Sequence, residues 1–280
     1  MDNFYSIKDA VCNYIKACVG KVTSSNGKIF GKAILAGAMI AMGAAGSNVA
    51  AHSIDNVGVS RVAAGVIFPM GLMMVILMGA ELFTGDCMLC MGKADKQYSL
   101  LDMLRVLVVV YLGNFVGALF IAACVNLCGQ LNYSGNLLGA YTIKVALGKC
   151  NVTFVQGLTS GILCNILVCA AVIMAGCAKD ITGKLLCSFF IILLFVTSGF
   201  EHCVANMYYI PAGLIAKLNP QYVQAAMEQY SLTAEKIANL DISHFMVTNL
   251  VPVTIGNIIG GLLVGLSLYY LNVRSGNRQN

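Results

Sequence analysis

The chain has 280 residues, of which 59% are apolar and 10% charged, and its mean hydropathy is +0.81. Ordinary soluble domains are about half apolar and a quarter charged, and a water-soluble globule cannot cover its surface with so few polar residues. A soluble enzyme, a disordered tail and a nucleic-acid-binding module are therefore excluded, and the formal charge of +5 has meaning only by position.

Residues 1–26 are too polar to span a bilayer, yet Phe4, Ile7, Val11, Tyr14, Ile15 and Cys18 recur at helical spacing. This predicts an amphipathic helix at the cytoplasmic interface. A spanning helix needs about 17 to 25 apolar residues. Charge-free runs lie at 33–51, 62–80, 106–143, 150–178, 185–200 with 202–216, and 242–273. They predict six spans in a transmembrane domain over 27–272, followed by a short cytoplasmic tail over 273–280. The polar stretch 218–245, which opens on Asn219-Pro220, reads as the one long external loop.

Six spans put both termini on one side. If the N-terminus is inside, twelve of the 17 Lys and Arg residues fall on inside segments, so the positive-inside rule predicts cytoplasmic termini in the cell (inner) membrane. The second and fifth spans are interrupted by the acids Glu81 and Glu201, and both contain a proline, Pro69 and Pro211. A charge or an irregular backbone at membrane depth survives where it is buried in protein or lines a cavity. The third span carries GNFVG at 113–117 and the sixth GNIIG at 256–260. Two halves of three spans each, matched in this way, predict an inverted 3+3 repeat with broken helices 2 and 5. Small-residue stripes at Ala33/Gly37/Ala41, Gly113/Gly117 and Gly256/Gly260 permit close helix packing, within one protomer or between protomers.

Most of the twelve cysteines sit in apolar runs and read as small hydrophobes. Cys87 and Cys90 form a lone CxxC without a second pair or a helix-spaced histidine, so neither metal nor cofactor is expected.

Three segments carry chemistry: ILMGAELFTG at 76–85, GILCNILVCAA at 161–171 and GFEHCVANM at 199–207. Here the chain resembles the formate/nitrite transporter family. The first segment fits that family's first signature throughout. The second fits the other signature except at Ala170, and the third is similar to the family's fifth-helix break around a central histidine. The resemblance implies an all-α, aquaporin-like integral membrane fold of six helices, assembled in the lipid bilayer as a homopentamer with a pore for small monovalent anions in each protomer.

His202 is the histidine deep in a span, whereas His52 and His244 fall near span ends. A buried histidine can be a satisfied core residue, but an intramembrane ionisable group beside a second charge is a functional candidate. An anion entering an apolar pore loses its hydration unless fixed donors replace the water or a proton neutralises it. Imidazole can supply either. The resemblance places His202 at the pore midpoint, Thr84 as the donor facing it, Asn165 near the pore, and Lys149 as the lysine whose field draws anions in. Taken alone, Thr84 can bond local backbone, Asn165 can be packing glue and Lys149 can snorkel to the interface.

Glu81 and Glu201 read as structural acids at the two breaks. Asp86 is open between a salt bridge, a loop cap and a gating part. By family position the hydrophobic constrictions are Phe68, Leu72 and Phe195 toward the outside and Leu82 toward the inside. The expected function is a channel or transporter for hydrosulfide, formate or nitrite, not an enzyme. The segment LFTGDCMLC and the cysteine richness look more like the hydrosulfide branch. The alternative is an aquaporin-like neutral-solute pore, which should carry two NPA turns where this chain has Ala205-Asn206-Met207. A membrane redox enzyme would require two deep axial histidines, and an ammonium pore a deep histidine pair.

Overall fold

The structure is a computed structural model that describes residues 3–274 and is helical almost throughout. Helix α1 (Ile7–Val22) is followed by α2 (Asn26–Ala51), and the second span is built from α3 (Val57–Ile67) and α4 (Pro69–Leu77). After a break come α5 (Phe83–Asp86), a tight 3-10 turn over Cys87–Leu89, and α6 (Cys90–Ala94). Then follow α7 (Leu100–Leu127), α8 (Leu137–Cys150), α9 (Phe154–Cys177) and α10 (Ile181–Ser198). A second break leads into α11 (Cys203–Ala216), the short helices α12 (Pro220–Tyr230) and α13 (Ala234–Ala238), and α14 (Val251–Tyr269), which is entered through a π-helical turn, His244–Leu250. Among the described residues six helical stretches are long and apolar enough to cross a membrane. Residues 275–280 of the expected tail lie outside the described residues.

Local sequence explains where the spans begin. Helix α7 opens on a capping box in which Ser99 Oγ accepts from the Asp102 amide at 3.1 Å and Asp102 Oδ2 accepts from the Ser99 amide at 3.2 Å. Helix α9 repeats the device with Thr153 and Gln156, at 3.3 and 2.9 Å. Each box satisfies two donors that a helix start otherwise leaves open.

The small-residue stripes bind the halves internally. Helix α2 packs on α7, and α9 packs on α14. A Cβ on Gly117 would lie 2.0 Å from the Ile34 carbonyl oxygen, and one on Gly260 would lie 2.5 Å from that of Ile162. The stripes are thus seams within one protomer, where the absence of a Cβ lets backbones touch.

Two sequence expectations are corrected. The run 106–143 is not one span: α7 stops at Leu127, and the chain turns through Gly129, Ser134, Gly135 and Asn136, all at positive φ, before α8 begins. Absence of charge marks apolarity, but left-handed backbone ends a helix. In consequence 218–245 is not the one long connection, because the segment carrying α8 accompanies it, packs on α11 and α12, and is tied to α12 by Tyr222 Oη donating to Asn132 Oδ1 at 2.6 Å. The prolines of the two broken spans lie away from the breaks. Pro69 occupies the first turn of α4 and Pro211 lies inside α11, while the helices before the breaks end at Gly79 (φ +62°) and Gly199 (φ +73°).

Helix α1 buries Val11, Ile15 and Cys18 against the helical body. Its Tyr14 Oη donates to the Gly85 carbonyl at 2.8 Å, which docks it beside the first break.

Candidate functional site at the two helix breaks

After Gly79 and Gly199 three residues are non-helical, Ala80–Leu82 and Phe200–His202, the last of each extended, before each half-helix starts. Extended backbone among helices leaves its amides and carbonyls without ladder partners, and burial demands that they be satisfied. Two buried asparagines do this. Asn114 Oδ1 accepts from the Phe83 amide at 2.9 Å, and its Nδ2 donates to the Ala33 and Glu81 carbonyls at 2.8 and 2.9 Å. Asn257 repeats the pattern: Oδ1 accepts from Cys203 at 2.9 Å, and Nδ2 donates to Gly161 and Glu201 at 2.8 and 3.1 Å.

The two glutamates are matched as well. Glu81 lies 2.6 Å from Lys21 Nζ and 3.5 Å from Lys32 Nζ. Glu201 receives Lys149 Nζ on both carboxylate oxygens, at 3.0 and 3.2 Å, and its Oε2 also accepts from Asn206 Nδ2 at 2.6 Å. Asn249, presented by the π-helical turn, donates to Glu201 Oε2 and to the Lys149 carbonyl at 3.3 and 2.9 Å. Lys149 therefore stands in a neutralised pair, so the bare positive field expected of it is largely cancelled by Glu201. Asp86 also contacts Lys21, in a salt bridge. Burial alone would lower the pKa of Lys21, but the Asp86 and Glu81 carboxylates outweigh it, and the net direction is upward.

At the centre the breaks bring Thr84 and His202 together, with Thr84 Oγ1 at 2.9 Å from His202 Nε2. His202 is also the N-cap of α11: its Nδ1 accepts from the Ala205 amide at 3.1 Å. A backbone N–H can only donate, so Nδ1 must carry the lone pair and the neutral ring holds its proton on Nε2. That proton points at Thr84 Oγ1, and the Thr84 hydroxyl hydrogen is left to donate elsewhere.

Phe68, Leu72, Leu82 and Phe195 all border the same small cavity beside His202, about 10 Å³, at which a single water just fits. Phe68 and Phe195 meet edge to face with centroids 5.8 Å apart, and Phe195 lies 6.0 Å from the His202 ring. The residues expected at the outer and inner constrictions thus border one narrow space. Leu72, expected toward the outside, borders with Leu82 a wider cavity of about 460 Å³ on the α1 side.

Asn165 is close to Thr84, but both its amide hydrogens are used on carbonyls, that of Thr84 at 3.1 Å and that of Asn257 at 2.6 Å. It offers no donor to a passing anion and acts as a strut. Sequence reasoning missed Asn114, Asn257, Asn206, Asn249, Lys21 and Ser160, whose Oγ accepts from the Glu201 amide at 3.0 Å. The asparagines were detectable, because an amide inside an apolar span is costly unless it is partnered.

The sequence profile described as "Formate/nitrite transporter" matches residues 8–271. The chain is 41% identical over 217 residues to the formate channel FocA of Haemophilus influenzae, covering 76% of this chain and 75% of that one. It is 34% identical over 262 residues to a probable formate transporter of Methanothermobacter thermautotrophicus, covering 87% and 88%. Among solved structures it is similar to a pentameric formate channel with formate bound, with a TM-score of 0.79 at 30% identity, covering 88% of this chain and 96% of that one. The chain therefore belongs to the formate/nitrite transporter family, whose members are multi-pass membrane channels and transporters rather than enzymes.

Proposed function

We propose that this chain passes small monovalent weak-acid anions through the pinch beside His202, with formate the first permeant to test. The observation that carries the reading is the Thr84–His202 contact at a space of about 10 Å³ between two helix breaks. A permeant oxygen that inserts between the two side chains takes the Nε2–H of His202 and the Thr84 hydroxyl as paired donors, replacing lost water. Proton transfer to the anion requires the ring first to take up a second proton from water, at Nδ1 in place of the Ala205 bond; giving up the Nε2 proton then returns the ring to neutrality, and a neutral acid crosses the apolar ring of Phe68, Leu72, Leu82 and Phe195. In this reading Glu81 and Glu201 hold the broken backbone and the Lys149–Glu201 pair sets the potential beside it. Similarity to the relative described as pentameric supports a homopentamer, and the distribution of Lys and Arg supports cytoplasmic termini.

Hydrosulfide is a second candidate, favoured by the narrowness of the pinch. The discriminating experiment is flux of formate, nitrite, hydrosulfide, chloride and glycerol in proteoliposomes over a pH series. Saturable formate or hydrosulfide flux with glycerol excluded is expected. Passage of glycerol without anion flux would instead establish the neutral-solute pore.

A further inference from the structure

A cavity of about 550 Å³ opens at the Glu201 end of the molecule, between the start of α3, helix α8 and the end of α12. This volume is that of a small-molecule site. Its wall carries two cations, Arg61 and Lys144, against one acid, Asp55. Among the described residues neither cation pairs with a carboxylate. Arg61 makes one long bond, Nη1 donating to the Thr197 carbonyl at 3.4 Å, which leaves most of its five donors free. Lys144 rests over the Tyr230 ring at 4.1 Å and the Tyr141 ring at 5.8 Å.

The histidine in the wall is already committed to hydrogen bonds. His52 Nδ1 bonds the Val49 carbonyl at 2.7 Å, so it carries the proton, and Nε2 meets Ser134 Oγ at 2.9 Å. With histidine counted as neutral, the formal charge of the wall is one excess cation. Ile54, Val57, Leu137 and Val145 add apolar surface beside the polar Ser53, Ser60 and Gln229.

We propose that this cavity is a binding site for an organic monocarboxylate with an apolar body, larger than any anion the pinch can pass. One excess positive charge matches a monoanion. The planar guanidinium of Arg61 matches a carboxylate, with Lys144 as the second charge contact, and the aliphatic wall covers the body of the ligand. The ligand stays outside the permeation path, since a space of about 10 Å³ cannot admit it. The site is independent of which small anion permeates.

The test is calorimetric titration of benzoate into the purified full-length protein in detergent, with benzamide as the uncharged isostere and inorganic phosphate as the alternative oxyanion. Saturable benzoate binding at one site per chain is expected, with benzamide and phosphate weaker. Lys144→Gln should weaken benzoate about tenfold, as loss of one charge-assisted contact does. Arg61→Gln should do the same and Arg61→Lys should restore part of the loss. Because Arg61 also lies against Gly199, Lys144→Gln decides the matter should the Arg61 variant misfold. Absence of saturable heat, equal binding of benzamide, preference for phosphate, or unchanged affinity in Lys144→Gln would each overturn the proposal. The readout is binding, so a failure here is separate from a failure of anion flux.

Discussion

Asn114 and Asn257 perform the same three hydrogen bonds in the two halves of the molecule. Each accepts from the first amide of a half-helix and donates to the carbonyl of a break glutamate and to a carbonyl of the neighbouring span. The equivalence extends to Gly79 with Gly199, Glu81 with Glu201, and the seams at Gly117 and Gly260. The halves differ where the chemistry is: Leu82 stands at the position equivalent to His202, and Thr84 at the position equivalent to Val204.

Replacing either asparagine with leucine should strand one amide and one break carbonyl in the protein interior, since the Ala33 and Gly161 carbonyls lie inside helices and keep their backbone donors. Each stranded group costs about 1–3 kcal/mol. Asn114→Leu and Asn257→Leu are expected to lower unfolding stability by similar amounts in thermal or denaturant titrations in detergent. A loss confined to one of them would show that the two breaks are not equivalently held.

The Lys149–Glu201 pair is 15% and 10% exposed at its side chains. Removing one partner of a buried pair typically costs about 3–5 kcal/mol because the other charge is left uncompensated. Lys149→Met and Glu201→Gln should each destabilise strongly, and the double variant should cost less than their sum. Strict additivity in the cycle would mean that the pair carries no coupling.

At the pinch, Thr84→Val keeps volume while removing the hydroxyl. A hydrogen bond to a charged group is worth about 1.5–3 kcal/mol, so anion flux should fall at least about tenfold while assembly persists. His202→Asn should flatten the pH dependence of flux. Unchanged flux at every pH in both variants would remove this contact from the transport step. Leu82→Val should raise the flux of the larger anions relative to hydrosulfide, and an unaltered selectivity order would place the narrowest point elsewhere.

Gly37 and Gly176 give opposite signs for the same substitution. A Cβ at Gly37 would fall 2.1 Å from the Asn114 carbonyl oxygen, and one at Gly176 meets nothing within 4 Å. Gly37→Ala should destabilise by at least about 1–3 kcal/mol through overpacking, and Gly176→Ala should stabilise by up to about 1 kcal/mol through helix propensity. Melting of the two variants side by side checks both.

Much of the architecture was legible from the chain alone. Hydrocarbon thickness forces long uncharged helices, so composition and the placement of few charges were enough to give the membrane class and six spans. The matched GN-containing segments gave the repeat, and Glu81, Glu201 and His202 marked the breaks because charge in lipid is tolerated only for a reason. What the sequence could not place was the end of α7, since left-handed turns at Gly129 and Gly135 leave no mark in hydropathy. It also left open whether the small-residue stripes faced inward, and Lys149 without its partner read as a lone cation. Those questions turn on which backbone atoms lie within a few ångströms across segments far apart in sequence. Only the tertiary structure sets Asn257 against Cys203, Lys149 against Glu201 and Thr84 against His202, because hydrogen bonds and ion pairs act at contact distance whereas hydrophobicity acts along the chain.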